Sequence, residues 1–329
     1  MNDFTILVLP GSYASSVATT LALLEAASML APHMKLARPR WRVVSVDGNA
    51  VPLSSGMHVE ATPLPKRPRA DGSCWIVPGL NLASLQTLQS RLADDDMQRA
   101  ARALAAHAGR GGAVAASCSA VFLLQAAGLL AGRTVTTSWW LAPALRSLEP
   151  GCTVDADRMV CEDGPLSTAG AAFAQTDLML HLLRRRFGVA MADAVGRNLL
   201  IDGRQAQGAF VVPAMLASGH ALVARLVRRI EAALPHPPTV EALAQEFAMS
   251  TRTLSRHVRQ ATGKSTMALL QSVRSNRARM LIESSRMTLE QVAAQVGYED
   301  ATALRRLMRK VAGGNPSRYR PAGGPPLPP

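Results

Sequence analysis

Apolar residues recur at two different periods along this chain, and the period changes near residue 235. Before that point, short apolar runs bounded by turn residues alternate with longer segments. Residues 4–9 form an apolar run closed by Pro10-Gly11 and predict a strand, and residues 12–30, rich in Ala and Leu, predict a helix. Residues 41–46 predict a second strand, closed by Asp47-Gly48-Asn49, and residues 51–65 a hairpin region on the sheet edge. A loop over 66–69 precedes a third strand at 74–77, which ends at Pro78-Gly79. A helix over 94–108 and a turn at 109–112 follow. Residues 113–116 read as a strand that runs directly into a helix over 119–130. Another strand at 133–136, short elements over 145–160 and a helix at 175–187 complete the alternation. Strands alternating with helices imply a mainly parallel sheet covered on both faces, an α/β domain.

Beyond residue 235 the apolar spacing is helical throughout. Val240, Leu243, Ala244 and Phe247 line one face, Met249-Ser250 interrupts the pattern, and Ser250 suits the N-cap of the next helix. That helix buries Leu254, Val258 and Ala261 and turns Arg252, Ser255, Arg256 and Arg259 outward until Gly263 stops it. The arrangement returns over 288–313. Thr288 and Gln291 have capping-box spacing, Leu289, Val292, Ala293 and Val296 form the apolar face, and Gly297 makes the turn. Asp300 caps a last helix with core positions Leu304, Leu307, Met308 and Val311; Thr302, Arg305, Arg306, Arg309 and Lys310 project outward. An arginine-rich helix face taken singly is ordinary solvated surface. Two compact helix pairs, each with an arginine-rich second helix, are what reading DNA through the major groove requires. Residues 265–283 between them read as one helix, about 28 Å long, which could set the recognition helices about one DNA turn apart.

The remaining segments divide the chain. Residues 188–217 lack a clear period and are expected to connect a first domain, 1–187, to a second, 218–320. The latter opens with a helix over 220–234, set off from the first helix pair by residues 235–238. The Pro/Gly-rich tail 321–329 is expected to be disordered. A chain of 329 residues suits two domains. Its net charge of +13 is uneven: from Pro235 onward 14 Lys/Arg face 6 Asp/Glu, against 22 and 17 before it. The basic excess thus sits where phosphate attraction would use it. No basic amphipathic helix with exposed aromatics points to a membrane surface instead. Residues 111–132 are free of charge and long enough to span a bilayer, but Ser117, Cys118, Ser119, Gln125 and many small residues suit a buried strand and helix better. The N-terminus lacks the pattern of a signal peptide, and Cys74, Cys118, Cys152 and Cys161 lack metal-ligand spacing. Reduced thiols in a cytoplasm, with no metal and no cofactor, are the expectation.

Cys118 is the residue that could carry chemistry. It stands at the strand-to-helix turn, at the carboxyl edge where open α/β sheets collect ligands, and a helix N-terminus there lowers a thiol pKa and attracts anions. Gly79 and Leu80, after the third strand, could offer backbone N–H groups at the same edge. Three roles stay open for Cys118: a small apolar core residue, a wall of a ligand pocket, and a nucleophile. His107, His181 and His220 are scattered and read as surface or core residues.

Ala244, Met249-Ser250, Leu254-Ser255-Arg256, Gly263, Arg274, Ala278, Leu281, Val292-Ala293, Gly297-Tyr298, Arg306, Gly313, Pro316 and Tyr319-Arg320 fall in the order of the AraC/XylS-type DNA-binding domain, which this stretch closely resembles. Val258, Leu304 and Met308 stand where that family usually has Phe. The Cys118 elbow, the run Ala127 to Arg133, and Thr136-Thr137-Ser138-Trp139 resemble the ThiJ/PfpI, class I glutamine-amidotransferase-like group, which implies a flavodoxin-like sandwich. Ser119 and Ser138 join Gly79, Leu80 and Cys118 as candidate pocket residues. Enzymes of that superfamily activate the cysteine with histidine. Here Ser138 occupies the histidine position of relatives, Ala120 stands where Gly usually follows the elbow, and residues 12–20 hold no carboxylate. The order of the two domains resembles GlxA-type transcriptional regulators. The resemblance implies a regulator that binds double-stranded DNA, mainly as an activator, with a first domain that senses a small molecule or dimerises and has no catalytic role. RNA polymerase and a second copy of the chain are the further partners it implies. Two alternatives remain: a Cys118-dependent amidase or glyoxalase-like enzyme, and a first domain that serves dimerisation alone.

Overall fold

The computed structural model describes residues 2–65, 71–82, 84–201, 207 and 221–312. The chain divides into two compact units, Met1–Gln205 and Ala206–Pro329. The first contains β1 (Phe4–Leu7), α1 (Ala14–Leu30), β2 (Trp41–Ser45), β3 (Val51–Pro52), β4 (His58–Val59), β5 (Thr62–Pro63), β6 (Cys74–Val77), α2 (Leu85–Leu92), α3 (Asp95–Ala108) and β7 (Val114–Ser117). After a 3-10 turn at Cys118–Ala120 come α4 (Val121–Ala126), β8 (Thr134–Val135), α5 (Ala142–Leu148), β9 (Thr153–Val154), β10 (Val160–Asp163), β11 (Leu166–Ala169), α6 (Ala174–Phe187) and α7 (Val189–Asn198).

Seven strands form one sheet in the order β10-β11-β7-β6-β1-β2-β5, parallel except for the β10–β11 pair. Alternate residues feed opposite faces, as the two-residue period of a strand dictates. Leu7, Trp75, Val77, Val114 and Ala116 pack on one side with Leu104 and Phe122. Ile6, Val8, Ile76 and Ala115 pack on the other with Leu24, Leu178 and Leu183. Both faces are covered, which is why β1, β7 and β11 read as unbroken apolar or small-residue runs. This is the α/β sandwich expected from the alternation.

Three features depart from the sequence expectation. The segment from 188 onward was expected to connect the domains. Instead α7 packs against α1 and α6, with Met191, Ala192 and Val195 in the core of the first unit. Its apolar residues are few and small, so only the surface it covers reveals it as structural. The helix α2 was not expected, because its apolar positions are sparse. The hairpin β10–β11, turning at Gly164 with φ +61°, was also missed, because polar and small residues alternate in it. The charge-free stretch 111–132 is a buried strand and short helix. Among the described residues, the one helical stretch long and apolar enough to cross a membrane is 14–34, and half of it is buried inside this unit. The loop expected at 66–69, most of the connection beyond residue 201, and the tail lie outside the described residues.

The second unit is helical: α8 (Ala221–Ala232), α9 (Val240–Glu246), α10 (Thr251–Thr262), α11 (Thr266–Ser284), α12 (Leu289–Gln295) and α13 (Ala301–Ala312). Side-chain caps begin five of these helices. The hydroxyls of Thr239, Ser250 and Ser265 accept from Ala242, Thr253 and Ala268 N–H at 3.1, 3.1 and 3.2 Å, and Asp300 Oδ1 accepts from Ala303 N–H at 2.7 Å. Thr288 and Gln291 form the reciprocal capping box. Gly263, at φ +70°, ends α10 in the left-handed conformation. Val258, Leu304 and Met308 are fully buried, so aliphatic side chains fill the core where the resembling family has Phe.

Candidate DNA-binding face and cysteine elbow

The two helix pairs are α9–α10 and α12–α13, and α11 packs against α10 of the first and both helices of the second. Ridges of Leu254, Val258 and Ala261 on α10, and of Leu304, Leu307 and Met308 on α13, are buried. Arg252, Arg256 and Arg259 on α10, and Thr302, Arg305, Arg306 and Arg309 on α13, are exposed. Among the described residues, Arg252, Arg256, Arg305 and Arg306 take part in no ion pair, so their guanidinium groups keep all their donors for a ligand. Ser255 differs from expectation. It is half-buried, and its Oγ accepts a hydrogen bond from Thr266 Oγ1 at 3.4 Å, which turns it toward α11.

The second pair is held by a residue that periodicity alone does not single out. Arg274 on α11 donates from Nε to Val296 O at 2.7 Å and from Nη2 to Gly297 O, and its guanidinium lies 3.6 Å from the Tyr298 ring centroid. It satisfies carbonyls left free at the C-terminus of α12 and stacks on the ring that follows. Gly297 has φ +78°, and a Cβ there would meet Pro235 O at 2.0 Å, so the turn admits no side chain. Arg229 on α8 pairs with Glu246 at the end of α9 through two 2.7 Å hydrogen bonds.

At the carboxyl edge of the first unit's sheet, the chain leaves β7 with Cys118 at φ +56°, a region L-residues rarely occupy. Cys118 N–H donates to Gly170 O at 2.7 Å, and Thr137 Oγ1 donates to Cys118 O at 2.6 Å. These two bonds fix the elbow from both sides. Gly79, at the end of the neighbouring strand β6, lies so close that a Cβ there would stand 2.8 Å from Cys118 Cβ. Ser138 Oγ donates to Cys118 Sγ at 3.0 Å.

The five candidate pocket residues do converge, but they pack against one another. Leu80, Cys118, Ser119 and Ser138 are at most 3% exposed. The Leu80 N–H, expected to face a ligand, is taken by Ser119 Oγ at 2.8 Å, and the same hydroxyl donates to Leu80 O. The thiol also behaves differently from expectation. Burial raises its pKa, and hydrogen bonds from Ser138, from the Ser119 N–H and from the Ala172 N–H only oppose that rise. Desolvation outweighs the short helix beyond the elbow. Tyr13 faces the same sulfur, and its own pKa is raised by burial and by Cys118. Thr137 falls within the 136–139 motif, but the sequence held no signal for Gly170 or Tyr13, which reach the elbow from the segments after β11 and before α1. Among the described residues, no group of three His, Cys, Asp or Glu side chains could hold a metal ion.

A parallel α/β sandwich with a cysteine elbow, followed by paired helix-turn-helix units, defines a two-domain protein that joins a ThiJ/PfpI-type fold to an AraC-type helical domain. The pattern of the DJ-1/PfpI family matches residues 19–185, half of the chain, and the chain belongs to that family. A helix-turn-helix domain pattern matches residues 243–322. The HTH-type transcriptional regulator GlxA of Rhizobium meliloti is 26% identical over 63% of this chain and 64% of its own length, just under two thirds. The HTH-type transcriptional regulator CdhR of Pseudomonas aeruginosa is 25% identical over 97% of this chain and 91% of its own. Among solved structures, a THiJ/PfpI family protein from Pseudomonas syringae shares the fold with a TM-score of 0.51 and 17% identity, covering 78% of this chain and 91% of that one. An AraC family transcriptional regulator from Pseudomonas putida superposes with a TM-score of 0.50 and 20% identity, over 60% of this chain and all of that one.

Proposed function

We propose that this protein is a sequence-specific DNA-binding transcriptional regulator whose α/β domain is non-catalytic and senses a small molecule or dimerises the chain. The observation that carries the proposal is the pair of capped helix-turn-helix units packed on α11, each presenting unpaired arginines on its second helix. Arg252, Arg256 and Arg259 would face one major groove, and Thr302, Arg305, Arg306 and Arg309 the next. The 64% coverage of GlxA and 91% coverage of CdhR, both named as regulators, support the same function. A cytoplasmic homodimer that contacts RNA polymerase is consistent with it. The domain boundary is proposed to fall near Gln205, after α7, rather than at residue 187.

The enzyme alternative is disfavoured by the elbow itself. The side chain bonded to Cys118 is a serine hydroxyl, which donates to the sulfur rather than taking its proton, and burial keeps the thiol protonated.

A binding selection from randomised DNA with wild type, Arg256→Ala and Arg306→Ala tests the proposal. Each variant is expected to lose about 1–3 kcal/mol and to relax specificity in its own patch, the two patches lying about one helical turn apart. Loss of the same bases by both variants, or wild-type affinity and specificity in both, would refute the two-groove assignment.

A further inference from the structure

The strands β1, β6, β7 and β11 all begin at the amino edge of the sheet, opposite the Cys118 elbow. There they enclose a cavity of about 220 Å³ with the last turns of α6. Its apolar wall is Phe4, Ala113 and Leu182; its polar groups include Ser167, Arg185 and Arg186. Ser167 is 2% exposed, and its hydroxyl has no hydrogen-bond partner among the described residues. A hydroxyl that lines a cavity and is bonded to no protein group is free to bond to what enters it. The two arginines are held in place but not used up. Glu162 accepts from Arg185 Nη1 at 2.6 Å, and Asp3 accepts from Arg186 Nε and Nη2 at 3.1 and 2.9 Å. Each guanidinium has five N–H donors, so both retain free ones. Asp3, the carboxylate in the wall, is already engaged by Arg186 and by the Arg40 N–H. Cys74 also lines the cavity, and burial pushes its thiol up to about 12, so it adds no negative charge at neutral pH.

The site therefore has an excess of donors over acceptors at one end and an apolar surface at the other. We propose that it binds a small monocarboxylate with a short apolar body, the carboxylate received by Arg185, Arg186 and the Ser167 hydroxyl. Planar guanidinium groups match a carboxylate's two oxygens, and the low exposure of Ser167 strengthens its hydrogen bond. Phe4 and Leu182 take the body of the ligand. The volume excludes large ligands.

The test is isothermal titration calorimetry of the full-length protein with butyrate and benzoate, beside benzyl alcohol and inorganic phosphate. Saturable binding of at least one carboxylate is expected, with benzyl alcohol about ten- to a hundredfold weaker. Arg185→Gln should weaken binding at least about tenfold, and Ala113→Leu, which fills the cavity, should abolish it. Cys118→Ala, at the opposite edge of the sheet, should leave it unchanged. Circular dichroism checks that each variant is folded; if Ala113→Leu is not, Arg185→Gln and Ser167→Ala decide. The proposal is overturned if neither carboxylate binds, if phosphate binds as tightly as they do, or if Cys118→Ala removes binding while Arg185→Gln preserves it. None of these outcomes bears on DNA recognition, which is measured separately through Arg256 and Arg306.

Discussion

Replacing Arg274 by Met should loosen the second helix-turn-helix unit and leave the first intact. The substitution keeps much of the aliphatic stem but removes two charge-assisted hydrogen bonds, to Val296 O and Gly297 O, and the stack on Tyr298. At this half-buried position, each hydrogen bond is worth about 1.5 kcal/mol, the low end for a charged donor. The stack adds about 0.5–1 kcal/mol. These contributions overlap, because one planar group makes all three, so a total of about 3 kcal/mol is expected. That is roughly a hundredfold in a local opening equilibrium. Hydrogen-exchange mass spectrometry reads it directly: peptides from α12 and α13 should exchange about a hundredfold faster, while those from α9 and α10 change much less. Arg274→Lys retains the charge but not the forked geometry, so it should recover only part of the protection. In a DNA-binding selection, Arg274→Met should blur the patch assigned to Arg306 and spare the patch assigned to Arg256. Unchanged exchange in α12 and α13, or full recovery by lysine, would show that the bidentate clamp does not hold this unit together.

Three further outcomes are expected. Gly79→Ala places a Cβ 2.8 Å from Cys118 Cβ and 3.3 Å from Ser117 O, atoms fixed by the sheet, and should cost about 1–3 kcal/mol in urea unfolding. Adding Cys118→Gly, which removes the opposing Cβ and tolerates the positive φ, should restore much of that loss; a Gly79→Ala protein as stable as wild type would contradict the close approach. Purified protein should show no amidase or glyoxalase turnover above that of Cys118→Ala, and a difference between the two would revive the enzyme alternative. A fragment beginning at Ala206 should give a helical circular dichroism spectrum and bind the same DNA sites more weakly than the whole chain; an unfolded fragment would place the boundary elsewhere.

The DNA-binding half was legible because its information is local. Caps such as Ser250 and Thr288, the stop at Gly263, and apolar residues three and four apart each act within one or two turns of helix. They could be read without knowing what lies across the core. The Cys118 elbow was legible for the same reason, since a strand running straight into a helix is written in consecutive residues. Tertiary structure decided what those local features meet. Ser138 reaches the Cys118 sulfur from twenty positions along the chain, and the neighbouring strand's end brings Gly79 against the Cys118 Cβ; burial among such neighbours raises the thiol pKa, against the lowering pull of the Ser138 hydrogen bond, where the helix terminus alone predicted a lowered one. The helix α7 looked like a linker because its few small apolar residues have no visible purpose until α1 and α6 supply the surface they cover. The role of Arg274 and the cavity beside Ser167 are of this kind as well. An arginine's carbonyl partners more than twenty residues away, and four strand starts brought to one edge, depend on strand order and helix packing, which the hydrophobic pattern constrains only loosely.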